Sequence, residues 1–148
     1  MYLTHKLSLL AIFSVLFFTF STTTFAQYVI NGNSTQDNCN CYTLTPDVGT
    51  QYGSVWNVNK ISLNNSFDFN FTVFLGHNDA GADGIAFVLQ PISTSVGSSG
   101  GGLGFGGITP SLGVTIDTYQ NAGDPSYDHI AYQKNGDVDH GTANNLAG

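Results

Sequence analysis

Phe67-Asp68-Phe69-Asn70-Phe71-Thr72-Val73 alternates apolar and polar residues, and a period of two turns every aromatic ring to one face of an extended chain. The pattern predicts a half-buried strand. Residues 54–58, 84–89, 112–118 and 130–133 are further strand candidates, rich in Val, Ile, Phe and Tyr and separated by Gly, Asn, Asp and Pro. No segment after residue 26 has an amphipathic helix period. Short strands with turn signals between them predict an all-β antiparallel sandwich or jelly roll, not a parallel sheet with crossover helices. A chain of 148 residues, 41% hydrophobic and 13% aromatic, allows one domain with a packed core.

The N-terminal segment belongs to targeting rather than to that domain. His5-Lys6 gives a basic start, residues 7–20 are an apolar run, and residues 21–26 are Ser-Thr-Thr-Thr-Phe-Ala. This is the layout of a secretory signal peptide cut after Ala26. An uncleaved anchor is the competing reading, but the apolar run is shorter than the ~20 residues a spanning helix needs. Residues 27–148 are then the exported domain, secreted or held at the cell surface, with no membrane insertion after cleavage.

Charge narrows the partners. The chain has ten Asp and no Glu, three Lys and no Arg, and a formal net charge of −7. Nothing basic is present to replace phosphate counterions, which argues against nucleic acid and anionic membrane surfaces. Without Glu, the usual acid of glycosidases and the usual base of metalloproteases are missing, so carboxylate chemistry rests on Asp alone. Cys39 and Cys41 are two residues apart. A bridge between them is strained and two thiols are half a zinc site, so a disulfide framework with partners outside this sequence is the expectation.

Residues 97–107 hold seven glycines and imitate two motifs. Gly102-Leu103-Gly104-Phe105-Gly106-Gly107 fits a dinucleotide fingerprint, but Pro110 and a β-rich segment follow where a helix N-terminus is required. Gly97-Ser98-Ser99-Gly100-Gly101 fits a nucleophile elbow without the strand-to-helix turn that holds the serine. Asn135-Gly136-Asp137-Val138-Asp139-His140 looks like part of a calcium loop, yet His140 stands where that motif needs Gly and Leu146 where it needs Glu. A polar hairpin turn is expected there.

Residues 114–130, Val-Thr-Ile-Asp-Thr-Tyr-Gln-Asn-Ala-Gly-Asp-Pro-Ser-Tyr-Asp-His-Ile, read as strand, oxygen-rich loop and strand. A hard cation such as Ca²⁺ takes about six to eight oxygens, and two carboxylates, an amide carbonyl and a backbone carbonyl in one loop supply most of them. Asp117, Asn121 and Asp124 fit the side-chain roles. Without a cation, the carboxylates of Asp117, Asp124 and Asp128 crowd one turn. An ordinary Asx turn on an acidic surface accounts for the spacing about equally well, since Asn, Asp and Gly lead in turns.

This stretch resembles the metal loop of the legume-type (L-type, concanavalin A-like) lectins, with its Asp-Thr-aromatic-x-Asn, short gap, Asp-Pro and His-Ile. The resemblance implies a concanavalin A-like β-sandwich of the kind found in secreted bacterial proteins, in which Asp117, Asn121, Asp124 and the Tyr119 backbone carbonyl bind Ca²⁺. Gly81-Ala82-Asp83-Gly84-Ile85-Ala86-Phe87-Val88-Leu89 is similar to the Ala-Asp-Gly signature of the same lectins. That likeness implies that Asp83 accepts hydrogen bonds from two sugar hydroxyls and that a cis peptide joins it to Ala82. Gly100-Gly101-Gly102-Leu103-Gly104 resembles the glycine loop that offers a backbone N–H to the sugar, which brings Gly101 and Gly102 into the site. The likeness runs from about Tyr42 to about Tyr132.

The family pattern also sets expectations where this chain departs from it. Plant members carry Glu two residues before the first Asp, at a second site for a transition metal; Thr115 stands there. Asp117, Asp124 and His129 remain, so Mn²⁺ is expected to bind weakly or not at all. His129 reads equally well as a strand-end histidine bonded to a neighbour. Complete members are longer, which implies a fragment lacking closing strands, with open edges, an uncovered apolar face and poor stability in isolation.

A sugar needs a strong acceptor, a donor and an apolar face. Asp83, a glycine N–H, the Asn121 amide and the Tyr119 ring supply them, and no nucleophile is required. The leading expectation is a secreted Ca²⁺-dependent carbohydrate-binding module without catalysis. Its partners are glycans or polysaccharide, and a homo-oligomer is compatible with it. A glycoside hydrolase on the same sandwich is the alternative and needs two opposed carboxyls roughly 5–10 Å apart. A third reading is a metal-stabilised structural or adhesive module that binds no sugar.

Overall fold

The computed structural model describes residues 27–148, and the signal-peptide reading of residues 1–26 lies outside them. Strands β1 (Tyr28–Gly32) and β4 (Gly53–Asn57) form one antiparallel pair, and β2 (Thr35–Asn38) and β3 (Cys41–Thr43) another. Strands β5 (Gly84–Leu89), β6 (Leu112–Asp117), β7 (His129–Lys134) and β8 (Asn145–Ala147) make a four-stranded antiparallel sheet in chain order. The architecture is all-β, as the turn-separated runs require. Among the described residues no helix is long and apolar enough to cross a membrane.

Cross-strand register in the four-stranded sheet aligns Gly84, Asp117 and His129 in one row, Ala86, Thr115 and Ala131 in the next, and Val88, Gly113 and Gln133 in a third. This face is covered, because Phe105 lies against it, fully buried, with Leu103 and Ile108 beside it in the core. Glycine at 113 makes the room: a Cβ there would stand 2.8 Å from the Phe105 ring, well inside the distance at which carbon atoms pack. The loop of residues 97–107 is therefore no loose tract. Its Phe105 and Gly106 N–H groups both donate to the Gly102 carbonyl, at 2.8 and 2.7 Å, and Gly107 N–H donates to Gly136 O at 2.8 Å.

The opposite face carries Phe87, Val114 and Tyr132 in one row and Ile85, Ile116 and Ile130 in the next. Ile130 and Tyr132 are exposed there, whereas Phe87 is met by the rings of Phe69 and Phe71.

The strand expected at residues 67–73 does not form. Its alternation does gather the rings on one side, with Phe69 and Phe71 centred 5.5 and 5.4 Å from Phe87. Side-chain periodicity supplies no backbone partner, however, and a strand exists only where a neighbouring strand takes its N–H and C=O groups. The three rings stay exposed. By contrast the candidates at 54–58, 84–89, 112–118 and 130–133 coincide with β4 to β7 within one residue at each end. Cys39 and Cys41 are free and exposed on the β2–β3 hairpin.

After β7 the chain reverses at Asn135 and Gly136, both at positive φ (61° and 66°), with Asp137 N–H donating to Lys134 O at 3.3 Å. Asn-Gly is the pair that suits such a turn. The Asp137 carboxylate then accepts from Asn144 Nδ2 at 2.9 Å and Thr142 Oγ1 at 2.8 Å. These bonds, Asn144 first, and a further one from the Asp139 N–H hold its carboxyl below the usual carboxylate range. So fixed, the segment leads into β8, which runs back beside β7 and completes the expected hairpin.

Candidate functional site

Asp117 ends β6 with its side chain on the covered face, 5% exposed. One carboxylate oxygen accepts the Tyr119 N–H at 3.0 Å. A carboxylate this buried demands a compensating charge or a full set of donors. The two lysines of the described chain are elsewhere: Lys134 aligns with Leu112 at the far end of β6, and Lys60 reaches the Pro91 carbonyl at 3.4 Å.

The loop that follows folds onto itself around the remaining oxygens. Asn121 N–H donates to Asp124 Oδ2 at 2.8 Å, Asp124 N–H donates to Asn121 O at 3.2 Å, and Asn121 Nδ2 lies 3.4 Å from Tyr119 O. Asp117, Tyr119, Asn121 and Asp124 are thereby linked contact by contact within one turn. Among the described residues no three His, Cys or Asp side chains gather as a metal-ligand cluster. The set here is of another kind, carboxylates joined by an amide and a backbone carbonyl, which is the chemistry of a hard cation.

Asp83 precedes β5, and the Ala82–Asp83 peptide is cis. Its backbone carbonyl accepts both the Thr118 N–H at 3.0 Å and the Thr118 hydroxyl at 3.3 Å. Gly84, at φ 145°, pairs with Asp117, and a Cβ there would run into the Ile116 carbonyl and stand 3.1 Å from Asp117 Cα. Only glycine lets the turn bearing Asp83 lie directly on the end of β6. The Asp83 turn and the oxygen-rich loop are thus one mechanical unit.

The glycine loop closes the site from the other side. A Cβ on Gly100 would lie 4.0 Å from Asp83 Oδ2, and one on Gly101 would lie 3.0 Å from Asn121 Nδ2 and 3.2 Å from its Oδ1. Asp83 and Asn121 therefore face the same glycine loop, at Gly100 and Gly101, and Tyr119 is exposed. Gly102 is turned inward instead: a Cβ there would meet Ser98 Oγ at 2.6 Å, and that hydroxyl donates to the Gly102 carbonyl at 3.3 Å.

His129 is the cross-strand partner of Asp117. Its Nδ1 lies 3.0 Å from the Tyr127 carbonyl, and its Nε2 lies 2.8 Å from Nε2 of His140. Sequence reasoning used His140 only to reject a calcium loop. The signal that could have found it is the Asn135-Gly136 turn, which folds the following residues back along β7 toward His129. Thr115, where the family pattern has Glu, is 1% exposed and shares its hydroxyl proton between Gln133 Oε1 at 3.0 Å and the Ala131 carbonyl at 3.4 Å. Gln133 Nε2 is left buried without a partner.

Comparison with known proteins places the chain in a family. A protein-family model described as the legume lectin beta-barrel domain matches residues 20–147. The pesticidal crystal protein Cry22Aa of Bacillus thuringiensis is 38% identical over 94 residues, 62% of this chain and 13% of that protein. The serine-rich adhesin for platelets of Staphylococcus aureus strain MRSA252 is 36% identical over 107 residues, 68% of this chain and 8% of that protein. The chain thus matches only a small part of the length of each of these relatives. With a match that spans nearly every described residue and an antiparallel β fold of the corresponding class, the chain belongs to the legume lectin (L-type lectin) domain family.

Proposed function

We propose that this domain is a Ca²⁺-dependent carbohydrate-binding module, exported from the cell and without catalysis. The observation that carries the reading is the pair of hydrogen bonds from Thr118 to the Asp83 carbonyl, one residue beyond the buried Asp117. An ion held by Asp117, Asn121, Asp124 and the Tyr119 carbonyl would fix the end of β6, and with it the direction of the Asp83 carboxylate. Asp83 then accepts from two sugar hydroxyls, a Gly101 N–H and the Asn121 amide donate, and Tyr119 offers an apolar face.

Several features support a binding role over hydrolysis. The chain has no Glu. Neither relative's name, a crystal protein and an adhesin for platelets, is that of an enzyme. The adhesin's name also favours adhesion as the use of the site. Export rests on the basic, apolar and small-residue order of residues 1–26.

Chelation tests the proposal. Binding to a glycan array is expected to be saturable in Ca²⁺, lost in EDTA and restored by added Ca²⁺, and Asp117→Asn is expected to lose it at any Ca²⁺ concentration. The same addition of Ca²⁺ should raise Tm, because a ligand that binds only the folded state stabilises it. A Ca²⁺-dependent Tm with a blank array would replace the sugar reading by the adhesive module that binds none; binding indifferent to EDTA would overturn the calcium dependence.

Gly101→Val gives an independent check of the rim. Its backbone φ lies outside the left-handed region, and a Cβ there would stand 3.0 Å from Asn121 Nδ2, so the variant should fold but push the Asn121 side chain off the rim. Glycan affinity is expected to fall at least tenfold, read by isothermal titration with the best array hit.

A further inference from the structure

We infer that the sugar site selects its ligand by charge: it takes saccharides that are neutral or carry a free ammonium group and turns away those bearing carboxylate or sulfate. The inference rests on the carbohydrate-binding reading and names the ligand class of that same site. It is carried by where the sheet puts its few basic and many acidic side chains. Gly84, Asp117 and His129 share one row, so the residues just before Gly84 and His129 flank the end of β6, one on each side. Those residues are Asp83 and Asp128. Two strand spacings separate them, about 10 Å.

A third carboxylate belongs to the same end. Asp79 sits in the turn that leads into Asp83, where Gly81 N–H donates to Asn78 O at 2.9 Å and Ala80 N–H donates to Asn78 Oδ1 at 3.1 Å. Asp79 and Asp128 are exposed, and Asp83 is half-buried. Asp117 and Asp124 complete the acidic end, but their charge is balanced by the Ca²⁺ proposed for the loop. The other three keep theirs.

Among the described residues no lysine stands near enough to offset them. Lys134 aligns with Leu112, and Leu112 in turn with Leu89, which places that lysine five residues from the His129 row, about 17 Å along the strand. Lys60 reaches the Pro91 carbonyl at 3.4 Å, just past the same end of β5. Both lysines thus lie toward the opposite end of the sheet from Asp83. An anionic saccharide arriving at Asp83 meets like charge. The donors offered to it are a glycine N–H and the neutral Asn121 amide, which lack the charge that pairs a carboxylate or sulfate strongly. An ammonium group meets three carboxylates instead. A unit charge about 10 Å from one carboxylate in water changes a binding constant by roughly twofold, so three acting together change it by about fivefold to tenfold.

The test varies charge on the ligand and leaves the gripped sugar unchanged. Array glycans are tethered through the reducing end, so a group carried there lies outside the grip of Asp83. The full chain, at saturating Ca²⁺ and at a pH of about 8 where its imidazoles are neutral, is titrated with three glycosides of the best array sugar that differ only in an aminoethyl, hydroxyethyl or carboxymethyl group at that end. In about 10 mM salt the affinities are expected to fall in that order, with at least tenfold between first and last; in about 1 M salt, where charges are screened beyond about 3 Å, they should agree within about twofold. Asp79→Asn combined with Asp128→Asn should shrink the low-salt spread at least threefold while the hydroxyethyl glycoside keeps its affinity, a pattern that a folding defect would not give. Equal affinities in low salt, a carboxymethyl glycoside that binds as tightly as the aminoethyl one, or a spread that the double variant leaves intact would overturn the inference. Release of the hydroxyethyl glycoside by EDTA reports on the lectin reading alone, so the two can fail separately.

Discussion

Asp83→Ala is expected to abolish glycan binding while leaving both Tm and its response to Ca²⁺ in place. The separation follows from which atoms of Asp83 do what. Its backbone carbonyl, which alanine keeps, takes the two bonds from Thr118 that tie the turn to β6. Its carboxylate is half-buried on the rim opposite Gly100 and is free for hydroxyl donors. A hydrogen bond to a charged group contributes about 1.5–3 kcal/mol. Losing two of them removes on the order of 3–6 kcal/mol, a drop of more than a hundredfold in affinity. Titration of the variant with the best array glycan checks this. Affinity within tenfold of the parent would show that another group grips the sugar.

The second large effect lies below the site rather than in it. Phe105→Ala is expected to cost about 3–5 kcal/mol, the usual loss for a fully buried phenylalanine, against a total stability of about 5–15 kcal/mol for a domain of this size. Phe105 is 0% exposed and seals the face of the sheet on which Asp117 and Thr115 lie. It also anchors the loop that carries Gly100 and Gly101, so residual folded protein should bind glycan weakly as well. Urea unfolding followed by the fluorescence of Trp56, the one tryptophan, reads the change. Trp56 is fixed by its indole N–H to the Val96 carbonyl at 2.9 Å, at the base of the same loop. A loss under about 1 kcal/mol would mean that this loop is not the core.

How much of this could be read from the residues depended on whether the signal was local. Strands β4 to β7 are legible because alternation and turn residues bracket each of them. Strands β1 to β3 were missed. Thr35–Asn38 is polar throughout and exposed, so its pairing with Cys41–Thr43 leaves no periodic trace. Residues 67–73 erred the other way, with a strand's pattern but no partner for the backbone. Glycine content concealed the core, since Phe105 and Leu103 sit among residues that composition marks as loop; what makes Phe105 central is the missing side chain at Gly113 on a different strand. The oxygen-rich loop was legible as chemistry in the order Asp117, Asn121, Asp124, and the facing of Asp83 and Asn121 on the glycine loop from the family likeness. The meeting of His129 with His140 was not, because it is made by a hairpin whose far side is held by Asx turns rather than by any motif.

The most direct test of the central claim is a crystal structure of the domain grown in Ca²⁺, with long-wavelength anomalous data. The account expects one anomalous peak inside the loop, with Asp117, Asn121, Asp124 and the Tyr119 carbonyl each contributing oxygen at about 2.3–2.6 Å, and the Asp83 carboxylate facing outward beside Gly101. A loop with those oxygens pointing apart and no peak between them would contradict it.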